Sequence, residues 1–285
     1  RHHARYFSEN PAVGRVIGVD VDPDRIALIG KTVPFDATYT DYKEMLKAEK
    51  IEGVSVSLPN HLHAPVTIDC LRAGVNVVCE KPMATTVREA RRMIDAATKA
   101  DRLLMIHFNH RFNPELLYLK KVIDDGVLGD IYFAKTAWHR RNGIPGKGRS
   151  WFFTKEQSGG GPLIDLGVHR LDLTLYMMGY PDPVTVSGSA WNHLGRKIKG
   201  EDYDVEDMAT GYVRFDNGAT LIVEASWASH SEKQENFYSE LYGTEGGALQ
   251  RNVGEMYDTE LKIFTEQSGS RVDIVPKEVH RLKQT

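Results

Sequence analysis

Val75-Asn76-Val77-Val78-Cys79 is a strand-length run rich in valine that stops at Glu80-Lys81-Pro82. Residues 15–21, 54–58 and 103–107 are apolar runs of the same kind. Between them, residues 23–30, 41–49, 62–73 and 86–100 carry helical patterns, the last with Val87, Ala90, Met93, Ile94 and Ala97 at the spacing of one helix face. Continuous apolar strands alternating with helices predict a parallel sheet covered on both faces.

After residue 105 the pattern changes. A helix is expected over 114–124, a strand over 130–140 and a loop over 142–150, where Gly143, Pro145, Gly146 and Gly148 crowd together. A helix over 162–178 is opened by Gly159-Gly160-Gly161 and closed by Gly179. Farther on, Thr220, Ile222, Glu224 and Ser226 alternate with Leu221, Val223, Ala225 and Trp227, the period of a strand. Several strands with little helix between them predict a large, mostly antiparallel open sheet, one face of which can pair with another subunit. The fold class is therefore α/β plus α+β, with domains at 1–105 and 106–285.

The 285 residues are 41% hydrophobic and 26% charged, a soluble globular balance that excludes a disordered or collagen-like chain. A net charge of −3 gives no general pull toward nucleic acid or anionic membrane, so neither is expected as a partner. No apolar run approaches the ~18 residues of a membrane span. Cys70 and Cys79 lie in apolar segments and read as reduced, buried thiols of a cytoplasmic protein.

Chemistry-bearing residues gather where strands end. Asp20 closes the first apolar run, where an acid can hold ribose hydroxyls or simply start a turn. Pro59-Asn60-His61-Leu62-His63 follows the next; Asn60 is open to reading as a helix cap or as a crevice residue, and two histidines without a third ligand nearby do not make a metal site, so none is expected. Lys81 would project from its strand end and stabilise a developing alkoxide, or form a surface ion pair. Asn109 and Arg111 follow the last strand of the first half. On a helix, Asp165 and His169 share a face, and a carboxylate beside an imidazole makes either a general base or an ion pair. Trp138, Arg140 and Arg141 suit a hydroxylated ligand through an aromatic face and guanidinium donors, or else keep a strand edge charged; Trp151 and His230 are further candidates for the substrate wall.

Each signal is weak alone, but their order is specific. An Asp at a strand end precedes Pro-Asn-x-x-His, then Ala-Gly-x-x-Val-x-x-Glu-Lys-Pro, Asn-x-Arg-Phe-x-Pro, and Gly-Gly-Gly-x-x-x-Asp-x-Gly-x-His-x-x-Asp. In this register the chain resembles the Gfo/Idh/MocA family of nicotinamide-dependent oxidoreductases, from its first residue to about Gly247. The resemblance implies a Rossmann domain followed by a substrate-binding and oligomerisation domain, giving a homodimer or homotetramer. It implies Lys81, Asp165 and His169 as catalytic residues, with His169 the proton acceptor and Asp165 supporting it. Asp20, Pro59, Asn60, His63, Glu80, Lys81 and Asn109 fall at cofactor positions, and Asp20 followed by Val21 favours NAD over NADP. The substrate implied is a sugar, inositol or related polyol. Two other readings are a net non-redox reaction, such as glycoside cleavage or epimerisation through transient oxidation by tightly bound NAD, and a non-catalytic sugar or cofactor sensor. His3 fits the place just after the family's glycine-rich loop, so the first strand and that loop are expected to precede Arg1, and the family's last helices to follow Thr285.

Overall fold

The computed structural model describes residues 2–145, 150–198 and 202–277. Part of the expected loop over 142–150 lies outside them. The chain forms two compact units. The first takes the residues up to Leu58, His63–Glu80 and Ala90–Met105; the second takes Pro59–Leu62, Lys81–Glu89 and the chain from Ile106 on.

The first unit follows the alternation read from the sequence: α1 (His2–Glu9), β1 (Ile17–Val19), α2 (Pro23–Gly30), β2 (Ala37–Tyr39), α3 (Tyr42–Ala48), β3 (Gly53–Val56), α4 (Asn60–Arg72), β4 (Asn76–Glu80), α5 (Val87–Ala100) and β5 (Leu104–His107). Asp22 and Asp41 start α2 and α3 by accepting the backbone N–H groups of Asp24 and Lys43. The strands form two parallel groups, β1 with β2 and β3-β4-β5. Val56, Leu71, Val75, Val77 and Met93 are buried, while Val19 at the end of β1 and Val21 beyond it are exposed. On α5 the buried residues are Met93, Ala96 and Ala97, while Val87 and Ile94, seven residues apart on one flank, face out. Cys70 and Cys79 are free and fully buried; burial raises their thiols to about 11 and about 12, which makes them inert packing groups.

The second unit holds α6 (Pro114–Asp124), β6 (Ile131–Arg140), α7 (Lys155–Ser158), α8 (Val168–Met177), β7 (Pro183–Trp191), β8 (Met208–Phe215), β9 (Thr220–Ser226), β10 (Glu235–Gly243), β11 (Gly247–Asn252), β12 (Thr259–Gln267) and β13 (Ser270–Ile274). Its eight-stranded sheet runs β13-β12-β11-β10-β6-β9-β8-β7 and is antiparallel except between β6 and β9. Leu116, Leu119 and Val122 of α6 and Leu173 and Met177 of α8 pack with Leu221, Leu241, Leu261 and Ile263 of the sheet. Each such side chain contributes roughly 1.5–3 kcal/mol by leaving water. This core fixes α8 on the sheet, and with it the residues at its start. Val184, Val186, Tyr212 and Tyr132 remain exposed.

Candidate active site

The helix expected over 162–178 is two pieces: a wide π-type turn over Leu163–Gly167, then α8. Glu206 holds the entry. Its Oε2 accepts the Gly161 N–H at 2.8 Å and its Oε1 accepts the Leu163 N–H at 3.2 Å. Gly161 is required by that approach, because a Cβ there would lie 1.9 Å from the Glu206 carbonyl oxygen. The glycine triplet thus admits the chain's own backbone.

The wide turn changes what Asp165 meets. Lys81 Nζ donates to Asp165 Oδ1 at 2.8 Å and to its carbonyl oxygen at 2.9 Å, and Trp227 Nε1 donates to Oδ2 at 2.9 Å. No hydrogen bond joins Asp165 to His169 among the described residues. The expectation that the carboxylate orients the imidazole is corrected: i, i+4 partners align in an α-helix, and a π-type turn takes an extra residue and rotates them apart.

His169 sits instead among rings. It stacks on His110 at 4.7 Å between centroids and lies 5.9 Å from the Trp138 ring. Its Nδ1 is buried without a hydrogen-bond partner among the described residues. Burial, then the charge of Lys81, then His110, Arg170 and His107, hold its pKa well below the usual 6.5. Burial, Arg170 and Lys81 likewise push His110 down to about 4. Both imidazoles are neutral at pH 7. Arg170 is itself fully buried; Nη2 donates to Ser239 Oγ at 2.7 Å and Gln250 Oε1 at 2.9 Å, and burial lowers it to about 9.

A cavity of about 430 Å³ opens here. Lys81, Asp165 and His169, termed its floor, line it together with Trp138 and Arg140, termed its wall, and with Ile144, Pro145 and Phe152. Trp138 Nε1 donates to Glu235 Oε2 at 2.7 Å and Arg140 Nε to Oε1 at 2.9 Å, with the guanidinium 5.8 Å from the indole centroid. The cavity therefore offers a cation, a neutral imidazole and an aromatic surface with polar donors, a set able to bind a hydroxyl group and take its proton.

Other wall candidates lie elsewhere. Arg141, one residue past the end of β6, is exposed and donates to the Glu232 carbonyl at 3.3 Å. Trp151 stacks on Phe152 at 3.8 Å, and Phe152 lines the cavity in its place. His230 is exposed and outside the lining. Arg111 pairs with Asp172 and lies over the rings of Phe108, Tyr176 and Tyr180, so it packs and does not line the cavity. His110, Phe152, Trp227 and Glu235 escaped the sequence reading; His110 alone had a signal, standing beside Asn109, which is exposed.

The expected cofactor residues divide. Asp20 ends β1 half-buried, with Oδ1 accepting the Asp22 N–H at 2.9 Å, and Val21 beside it is 86% exposed. A carboxylate next to an open apolar side chain fits the ribose and base of a nucleotide. Glu80 Oε1 lies 2.9 Å from His3 Nε2. Pro59 is half-buried. His63 is 1% exposed and donates from Nε2 to the Leu58 carbonyl at 2.8 Å, and Asn60 is 5% exposed with its amide donating to the Ser158 carbonyl at 2.8 Å. Both clasp their own chain, since a buried polar group spends its donors on internal partners.

The family pattern described as "Oxidoreductase family, NAD-binding Rossmann fold" matches residues 1–108, and that of the "GFO/IDH/MocA C-terminal domain" matches 116–249. D-glucoside 3-dehydrogenase of Escherichia coli (strain K12) is 32% identical over 285 residues, spanning 97% of this chain and 78% of that protein. Levoglucosan dehydrogenase of Pseudarthrobacter phenanthrenivorans is 31% identical over 262 residues, spanning 86% and 67%. A solved levoglucosan dehydrogenase, in complex with NADH and levoglucosan, superposes with a TM-score of 0.84 at 26% identity, covering 96% of this chain and 76% of that one.

Proposed function

The chain belongs to the GFO/IDH/MocA family of NAD-binding oxidoreductases, and from that premise we propose that it is an NAD-dependent dehydrogenase that oxidises one carbinol of a sugar, inositol or related polyol. The relatives named as glucoside and levoglucosan dehydrogenases support this substrate class. The observation that carries the reading is a neutral, buried imidazole, His169, in one cavity with the Lys81–Asp165 pair and the Trp138–Arg140 wall. Bound NAD supplies the acceptor for the hydride that leaves the carbinol carbon. The chain's own residues handle the proton. Lys81 Nζ, held by Asp165, meets the substrate hydroxyl and stabilises negative charge as it develops. His169 accepts the hydroxyl proton, which a charged imidazole cannot do. Trp138 and Arg140 receive the remaining hydroxyls.

Residues 1–105 carry the cofactor, with Asp20 and Glu80 against it, and residues 106–285 together with Lys81 carry the substrate. The exposed sheet residues Val184, Val186 and Tyr212 support a homodimer or homotetramer formed through this face, read by sedimentation of the purified chain. The two free, inert cysteines support a cytoplasmic enzyme.

The test is NADH formation, read near ~340 nm, with NAD and a panel of sugars and polyols, for the chain and for Lys81→Ala. Net NADH with one substrate, lost in the variant, is expected. Product formed without net NADH points to transient oxidation, and binding without any product points to a sensor. Near-intact turnover by Lys81→Ala removes the catalytic assignment.

A further inference from the structure

One buried carboxylate in the wall has no part in the proposed proton transfer. Glu235, the first residue of β10, pairs in register with Arg140, the last of β6, and is 5% exposed. Both its oxygens are engaged. Oε1 takes Arg140 Nε at 2.9 Å and the Tyr257 hydroxyl at 3.0 Å, and Oε2 takes the Trp138 indole N–H at 2.7 Å. Its main chain is fixed too, with the carbonyl accepting Asn252 Nδ2 at 2.7 Å. Arg140 is folded tightly into this place: a Cβ on Gly143 would lie 2.3 Å from Arg140 Cδ. A buried charge is costly unless it is paired and fully hydrogen-bonded, and here it is both.

We infer that Glu235 is the positioning residue that sets substrate charge at this wall: by neutralising Arg140 and occupying its Nε edge, it makes the cavity select a hydroxyl of an uncharged sugar over a carboxylate. The inference rests on the sugar dehydrogenase reading and deepens it. A carboxylate is recognised best by an unpaired guanidinium through two parallel N–H bonds. In Arg140 the Nε–H is spent on Glu235, and Nη2 leans on the Tyr257 hydroxyl at 3.4 Å. What remains is the far end of the fork, the two N–H groups of Nη1 and the second of Nη2, without a partner among the described residues. A hydroxyl can use it. An anion would also feel Glu235, which cancels most of the attraction.

D-glucose and D-glucuronate, which differ by a carboxylate in place of a hydroxymethyl group, are the probes. Their affinities are measured by calorimetry on the whole chain, on Glu235→Gln, on Glu235→Asp and on the double variant Glu235→Gln/Arg140→Gln. Wild type should bind glucose more tightly. Glu235→Gln should move the ratio toward glucuronate by about tenfold or more, the scale of one charge-assisted hydrogen bond. The double variant should restore the wild-type preference, and Glu235→Asp, which keeps the charge, should stay near wild type. A ratio unchanged in Glu235→Gln, an equal shift in Glu235→Asp, a wild-type preference for glucuronate, or no binding of either probe to wild type overturns the inference. NADH formation with an unmoved ratio removes this inference and leaves the dehydrogenase; a moved ratio without any NADH does the reverse.

Discussion

The floor and the wall of the cavity are built on one plan. Each has a carboxylate shared between a cation and an indole: Asp165 between Lys81 at 2.8 Å and Trp227 at 2.9 Å, and Glu235 between Arg140 at 2.9 Å and Trp138 at 2.7 Å. The cations differ. Lys81 is a compact point charge; Arg140 is a planar fork lying near an aromatic face. So do the neighbours. The floor pair lies beside the neutral His169, whereas the wall pair lies in the register of two antiparallel strands. In the proposed reaction the same arrangement serves proton transfer at the floor and recognition at the wall, where the Trp138 ring bridges the two by lying 5.9 Å from the His169 ring.

The largest effect should separate the two. If Lys81 acts as proposed, on charge present only in the transition state, Lys81→Ala should lower kcat by about 10³-fold while KM moves little. A loss confined to KM would place Lys81 with the wall.

The pH profile sharpens the division. The folded protein disfavours protonated His169, so kcat/KM should hold flat down through pH 6.5 and fall only well below it. In Lys81→Met a neighbouring positive charge is gone, and the acid limb should move up toward the ordinary histidine value; Arg140→Gln should leave it in place. Stability follows the same sign. The unfolded chain takes up protons at these imidazoles near pH 6.5 while the folded chain resists, so stability is present above that pH and is lost as pH falls. For His110, lowered to about 4, the loss is on the order of 3 kcal/mol. Denaturant midpoints at pH 7 and 4.5, with His110→Phe as control, measure it; an equal slope in both proteins would remove His110 as its source.

At the wall, Arg140→Gln should raise KM by about tenfold and leave kcat near wild type, because it removes binding shared by ground and transition states. An equal fall in kcat would bring Arg140 into the chemistry.

Much of the floor was legible in the sequence. Lys81 stands at a strand end, and Asp165 and His169 stand four apart after a glycine triplet; all three line the cavity. Their partners were not legible. The i, i+4 reading assumed α-helical geometry, and the π-type turn sends Asp165 to Lys81, 84 residues away, and to Trp227, 62 away. The wall shows the same limit: Glu235 is 95 residues from Arg140, and only strand register brings them opposite. Alternating apolar runs disclose which strands exist and which face is buried, as Leu221 and Val223 did. They do not disclose which strand lies beside which, and β6 next to β9 and β10 is what assembles the wall. The bonds of His63 and Asn60 to the carbonyls of Leu58 and Ser158 were hidden for a related reason, since a polar residue at a strand end can equally serve the chain's own backbone.

Glu206 supports the floor as Glu235 supports the wall, through backbone in place of side chains. Its two oxygens take the N–H groups of Gly161 and Leu163, which start the turn carrying Asp165. Glu206→Gln keeps one good acceptor and turns the other into a donor facing an N–H, so one of the two bonds is lost. At ~1 kcal/mol for one net hydrogen bond, the turn loosens without unfolding, and kcat should drop by about fivefold with KM unchanged. Since Glu206 does not line the cavity, the preference between glucose and glucuronate should stay as in wild type. A variant that kept kcat and shifted that preference would show that floor and wall are not separable supports.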